Sequence, residues 1–234
     1  MTAEAPRAGR ASLPVRLVRR ALRRRTTAPS CVARRATVAR LVPPGAFRVL
    51  LALALVLGAC AEPPLAGTDL QKRQAPDFAL VDGATGETVT LAAQRGKVVV
   101  LTFLYTSCPD VCPLTADKLR AARAQLGDES KDLVLIAVSV DPIHDTPEAT
   151  REFVRAHRLE GALRFLIGDR GTLERVWAAY GIGQEPDRDP YVGHTDAIFL
   201  IDRQGRGRTL LHSDVDVPAL AQSLRTLLGE SRLF

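Results

Sequence analysis

Two cysteines four positions apart, Cys108 and Cys112, stand in LTFLYTSCPDVCPLT (101–115), where an apolar run gives way to prolines and a helix-like segment. Thiols at this spacing serve as a structural disulfide, as a dithiol–disulfide redox couple, or as two soft ligands for a metal. Residues i and i+4 share a helix face, so both sulfurs can converge from a loop and the first turn behind it. Pro109 and Pro113 restrict the backbone on either side. Spacing alone leaves all three chemistries open.

A third donor separates them, and the chain has four histidines. His157 adjoins an apolar helix face through Phe153 and reads as a packing or surface residue. His144, in a Pro-bounded loop, and His212, at a strand end, read as exposed. His194 differs: in DPYVGHTDAIFLID it directly precedes a core-type strand, and Gly193 leaves room for close approach. Two thiolates and one imidazole make a soft three-coordinate set suited to Cu(I), whereas zinc wants a fourth ligand or an open water position. A loop histidine without a partner is the alternative reading.

The elements that must position these residues are legible from Asp77 onward. DFALVDGATGETVTL places two apolar runs around Asp82-Gly83 and Thr85-Gly86, a hairpin signal. KVVVLTFLY (97–105) and DLVLIAVSV (132–140) are continuous aliphatic runs, as in strands buried on both faces. Between them Leu119, Ala122 and Leu126 recur at helical spacing and Gly127 is a stop, which predicts a βαβ unit. A second helix is expected from Thr146 as N-cap with Pro147 at its first position, and a third through TLERVWAAYG, ending at Gly181. DAIFLID and RTLLH flank a second hairpin turn, and Val217, Leu220, Leu224 and Leu227 mark a closing amphipathic helix. The order predicts an α/β, thioredoxin-like fold with an N-terminal β-hairpin extension, over residues 77–234. In such a sheet Cys108 and Cys112 lie at the C-terminal end of a buried strand and the N-terminus of the next helix, where free N–H groups favour thiolate.

The formal charge of +6 averages two unlike parts. Residues 1–48 hold twelve Arg against one acid, Glu4, which leaves the remainder at −5. The basic pI therefore belongs to the leader, and the working domain is not expected to bind nucleic acid. Behind Arg48, the apolar run Val49–Ala59 is too short to span a bilayer but fits the h-region of a signal peptide. Its end, Leu57-Gly58-Ala59-Cys60, resembles a lipobox, so residues 1–60 read as a basic leader and lipoprotein-type signal with Cys60 as the lipidated anchor. A non-Met start near Val38 would leave VARLVPPGAFR as an ordinary n-region. Residues 61–76, polar and Pro/Gly-bearing, read as a linker.

YTSCPDVCPLT, VSVDPIHDTPE and VGHTDAIFLID, in this order, resemble the Sco/SenC family of copper-binding assembly factors for cytochrome c oxidase, over about Pro76 to Leu228. The resemblance implies a membrane-tethered, extracytoplasmic copper chaperone, binding Cu(I) or Cu(II) through Cys108, Cys112 and His194. It implies a role in building the CuA centre of oxidase subunit II, or of another extracytoplasmic copper protein, by delivering copper or reducing that centre's cysteines. Asp141 is a candidate acceptor behind the ligands, or a turn cap. Where family members often carry an aromatic residue or His just before the first cysteine, this chain has Thr106-Ser107.

The rival is a thiol-disulfide oxidoreductase on the same fold. Those proteins resemble CxxC followed later by a cis-Pro directly before a strand; this chain has CxxxC and places His194-Thr195 there, with Pro190 further back. A peroxiredoxin pattern fits neither cysteine, and an inert disulfide is the third reading. If Cys60 is the anchor, Cys60→Ala releases the protein from membranes after a high-salt wash; complete retention would rule the anchor out.

Overall fold

The computed structural model describes residues 64–183 and 193–230. Cys31, the apolar run and Cys60 lie outside the described residues. One eight-stranded sheet carries the domain, in the order β1-β8-β7-β4-β5-β6-β2-β3. Its strands are β1 (Thr68–Gln74), β2 (Ala79–Asp82), β3 (Thr88–Thr90), β4 (Val98–Leu104), β5 (Leu133–Ser139), β6 (Leu163–Ile167), β7 (Ile198–Ile201) and β8 (Arg206–Leu211). The helices are α1 (Val111–Leu126), α2 (Pro147–Ala156), α3 (Arg170–Tyr180) and α4 (Val217–Gly229).

β4 is the centre of the fold because every one of its residues is buried. It pairs in parallel with β5, Val98 opposite Leu133 through Leu104 opposite Ser139, and antiparallel with β7, Thr102 opposite Ile198. A parallel neighbour requires a crossover, and α1 supplies it, packed on α4. β6 extends the sheet parallel to β5, and the β2–β3 hairpin closes that edge antiparallel to β6. This is the thioredoxin-like arrangement that the sequence predicts, with the additional hairpin at its N-terminal end.

The helix starts follow their caps. The Thr146 hydroxyl accepts the Ala149 N–H at 3.2 Å, with Pro147 in the first turn. Asp169 accepts from Thr172 at 2.9 Å and Asp216 from Ala219 at 2.6 Å. The β7–β8 turn requires Gly205, whose φ of +74° is left-handed and whose missing Cβ leaves the space that the Arg95 guanidinium fills.

Two expectations are corrected. Thr68–Gln74, inside the segment read as linker, is a strand, β1, paired to β8. The sheet therefore begins before Asp77. LRFLI, to which the sequence reading assigned no element, is β6. Its apolar run is interrupted by Arg164, which reaches across to Asp82 at 2.9 Å and Glu87 at 2.8 Å.

Phe165, fully buried in β6, stacks edge-on against Phe153 of α2 with centroids 5.4 Å apart. Emptying that site in Phe165→Ala should cost about 3–5 kcal/mol. Urea unfolding measures it, and a loss below about 1 kcal/mol would contradict this placement of the core.

Candidate metal centre

The first helical turn after β4 has an unusual acceptor. α1 needs partners for its leading N–H groups. The Asp110 carboxylate takes that of Val111 at 2.5 Å, while the sulfur of Cys108 takes that of Cys112 at 3.3 Å. A sulfur thus fills the position that a Ser or Asp oxygen usually fills at a helix start. Both thiols are free and buried; Cys108 retains 9% exposure and Cys112 none, so Cys108 is the sulfur nearer to solvent.

The two sulfurs share one proton. A hydrogen bond from the Cys112 thiol, helped by the Cys112 and Asp110 N–H groups and the Tyr105 hydroxyl and opposed by burial, lowers the Cys108 pKa to about 5. The same bond, with burial, pushes the Cys112 thiol far up. At neutral pH the pair is therefore one thiolate, on Cys108, and one thiol. Its first proton leaves easily and its second only when something, such as a cation or an oxidant, removes it.

His194 reaches this end of the sheet through the β4–β7 register. Thr102 faces Ile198, so extending the antiparallel pairing sets position 194 opposite position 106. The imidazole meets the Tyr105 ring edge-on, with centroids 5.9 Å apart, and Tyr105 also faces Cys108. His194 Nδ1 lies 3.0 Å from the Thr195 carbonyl oxygen. A carbonyl only accepts, so Nδ1 carries the proton and Nε2 keeps the lone pair that a metal takes. Thr195 is itself fixed to Gly183: its N–H donates to the Gly183 carbonyl and its hydroxyl accepts the Gly183 N–H, both at 3.0 Å. Cys108, Cys112 and His194 thus gather at one end of β4, although among the described residues no three His, Cys, Asp or Glu side chains already close on a single metal-sized point. The donor types suit a soft monovalent cation: two sulfurs in contact and, brought to the same sheet end by the β4–β7 pairing, an imidazole whose Nε2 keeps its lone pair.

The remaining histidines keep to the bland roles expected of them, with partners that spacing does not show. His157 stacks on Phe153 and approaches Asp117, and His212 Nδ1 donates to the Asp196 carbonyl. His144 Nδ1 lies 2.7 Å from Asp141. Asp141 accepts the N–H groups of Ile143 and His144, both at 3.2 Å, and so caps its turn. The carboxylate that holds the cysteine loop is Asp145, one oxygen of which accepts the Thr106 N–H and hydroxyl, each at 2.7 Å. Neither Asp145 nor Tyr105 stands out by spacing. Their signals are a second acid in VSVDPIHDTPE just before the Thr146 cap, and an aromatic residue directly behind the core strand.

Reduced, metal-free protein should be alkylated by iodoacetamide at Cys108 first, at a rate constant above neutrality that falls as pH drops through about 5. Because the Cys112 thiol is the main stabiliser of the thiolate, Cys112→Ala should raise that midpoint by at least one unit, towards the ordinary thiol value of about 8.5. An unchanged midpoint would contradict the shared proton.

The SCO1/SenC family model matches residues 66–229. A putative copper-binding protein of Stutzerimonas stutzeri is 26% identical over 167 residues, covering 69% of this chain and 80% of that protein. The structure of Bradyrhizobium japonicum ScoI with copper bound is similar at 28% identity with a TM-score of 0.58, covering 66% of this chain and 99% of that one. The solution structure of apo Sco1 from Thermus thermophilus is similar at 30% identity with a TM-score of 0.60, covering 71% and 97%. The match spans most of the chain and the whole of the site: the chain belongs to the SCO1/SenC family.

Proposed function

We propose that this protein is an extracytoplasmic copper chaperone, tethered to the membrane by a lipid on Cys60, that assists assembly of the CuA centre of cytochrome c oxidase. Copper is its cargo, held by the sulfurs of Cys108 and Cys112 and by Nε2 of His194. It acts as a metallochaperone rather than as an enzyme. The observation that carries this reading is the pairing of a one-proton dithiol with an imidazole oriented to leave Nε2 free. Similarity to a family member with copper bound supports it. No helix among the described residues is long and apolar enough to cross a membrane; the tether reading is supported by the lipobox-like Leu57-Gly58-Ala59-Cys60 of the leader.

The chain's own groups explain capture and release. Cys108 offers a thiolate at neutral pH, near the surface, as the first point of attachment. Drawing in Cys112 displaces the proton between the sulfurs, so binding a cation is coupled to loss of one proton from the thiol pair. Tyr105, buried, touches both Cys108 and the His194 ring and so links the imidazole to the cysteine loop.

A second reading has its own observation. The Cys112 thiol already lies in hydrogen-bonding contact with the Cys108 thiolate, so the couple is placed to close a disulfide. This supports a thiol-disulfide reductase role, acting on the cysteines of the copper acceptor. His194 separates the two. Under reducing conditions His194→Ala should weaken Cu(I) binding by at least tenfold, about 1.4 kcal/mol. In the absence of metal it should leave oxidation of Cys108 and Cys112 intact. Copper affinity unchanged within about threefold, roughly 0.7 kcal/mol, would remove His194 from the site and favour the redox reading.

A further inference from the structure

Large apolar side chains left in solvent are few on this domain, and they are not scattered. Among the described residues they are Ile143 at 64% exposure, Leu114 at 50%, Val81 at 41% and Val111 at 37%. Val111 and Leu114 share the first turn of α1, just after Cys108, and Ile143 stands in the loop between β5 and α2. These segments adjoin: the Val140 N–H donates to the Leu104 carbonyl at 3.0 Å, and Pro113 and His144 line one open groove together with Thr106 and Ser107. Three of the four side chains thus flank the cysteine loop. Single exposed apolar residues are ordinary, whereas a group of them around one site marks an interaction surface.

The same sheet end carries charge of one sign. Four loops meet there, 105–110, 140–146, 193–197 and 212–216, and bonds tie them together. Asp145 accepts the Thr106 N–H at 2.7 Å, Asp196 accepts the Ser213 N–H at 2.6 Å, and Lys118 of α1 donates to the Val215 carbonyl at 2.8 Å. The four loops hold Asp110, Asp141, Asp145, Asp196, Asp214 and Asp216 and no Lys or Arg. Asp110, Asp214 and Asp216 are exposed.

An apolar centre with a charged rim is the anatomy of a protein interface. Cys108 is 9% exposed and Cys112 not at all, so whatever takes a metal from them has to bring its own ligands against this end. Charge selects the occupant. A second copy would set the same carboxylates against these, and a bilayer bearing anionic lipids would repel them. A protein with Lys or Arg around an apolar loop complements both features.

We propose that Val111, Leu114 and Ile143 form the docking face for the copper acceptor, a protein that presents an apolar ligand loop flanked by Lys or Arg. On the chaperone reading above, from which this follows, that acceptor is the CuA-bearing domain of oxidase subunit II.

The test is calorimetric titration of the metal-free, reduced full chain with that domain at about 20 and about 200 mM salt. Cu(I) affinity and thermal melting are measured on the same samples. Leu114→Ser and Ile143→Ser should each weaken association at least about fivefold, with Cu(I) affinity held within about twofold because neither side chain is a donor. Val81→Ser, on the distant β2, should leave association unchanged. Wild-type association should weaken at least about fivefold at the higher salt, and Asp214→Lys should weaken it at least about threefold at the lower. Association that is absent in the wild type, not weakened by salt, or unchanged in Leu114→Ser, Ile143→Ser or Asp214→Lys overturns the docking face, as does an equal loss in Val81→Ser. Failure of that kind with Cu(I) binding intact leaves the copper site standing, whereas a wild type that associates but does not bind Cu(I) removes the copper reading and leaves the face.

Discussion

The hydrogen bond from the Cys112 amide to the Cys108 sulfur is the contact on which the site depends. It requires β4 to end at Leu104, so that a short loop returns the chain over the start of α1. It also requires Cys112 inside the first turn, where its N–H has no helical partner. The cap and the proposed ligand are then the same atom. A group that stabilises negative charge for the sake of the helix also stabilises the thiolate, so helix initiation and thiolate character are linked through one sulfur.

The rest of the site is assembled by the sheet rather than by proximity in the chain. Parallel pairing of β4 with β5 brings the β5–α2 loop, with Asp141 and Asp145, alongside the cysteine loop. Antiparallel pairing with β7 brings His194 from the other side. The Thr102 hydroxyl, buried between these strands, donates to the Ala197 carbonyl at 2.9 Å and fixes that register just below the site. Three loops distant in sequence thus meet at one sheet end, as is common for ligand sites of open α/β sheets.

Those parts of the fold that bury apolar residues were legible in the sequence. Val98–Leu104 and Leu133–Ser139 read as central strands because nothing polar interrupts them except Thr102 and Ser139, whose hydroxyls find partners. The helices at Pro147 and Val217 read correctly because amphipathic spacing and capping residues agree. β1 was hidden because it pairs through its backbone and is polar on both faces; β6 was hidden because Arg164 breaks its pattern and is neutralised only by residues of a distant hairpin. At the candidate site, Cys108, Cys112 and His194 were singled out by type and position, and the sheet pairing brings the loops that carry them to one end of β4. Asp145 and Tyr105 were not, since their importance comes from burial and cross-strand register, which spacing does not encode.

β1 also bears on how the protein coexists with other copies of itself. It forms one outer edge of the sheet, where an unpaired strand offers hydrogen-bonding groups to any passing strand. Between Asp69 and Arg73 its pairing slips, and Gln71 and Lys72 take positive φ, 57° and 55°. The interruption breaks the regular row of amides and carbonyls, and Lys72 and Arg73 set charge beside it. A strand from a second molecule would find no continuous ladder to extend, so the domain has an edge that resists sheet-to-sheet polymerisation even where copies are crowded together.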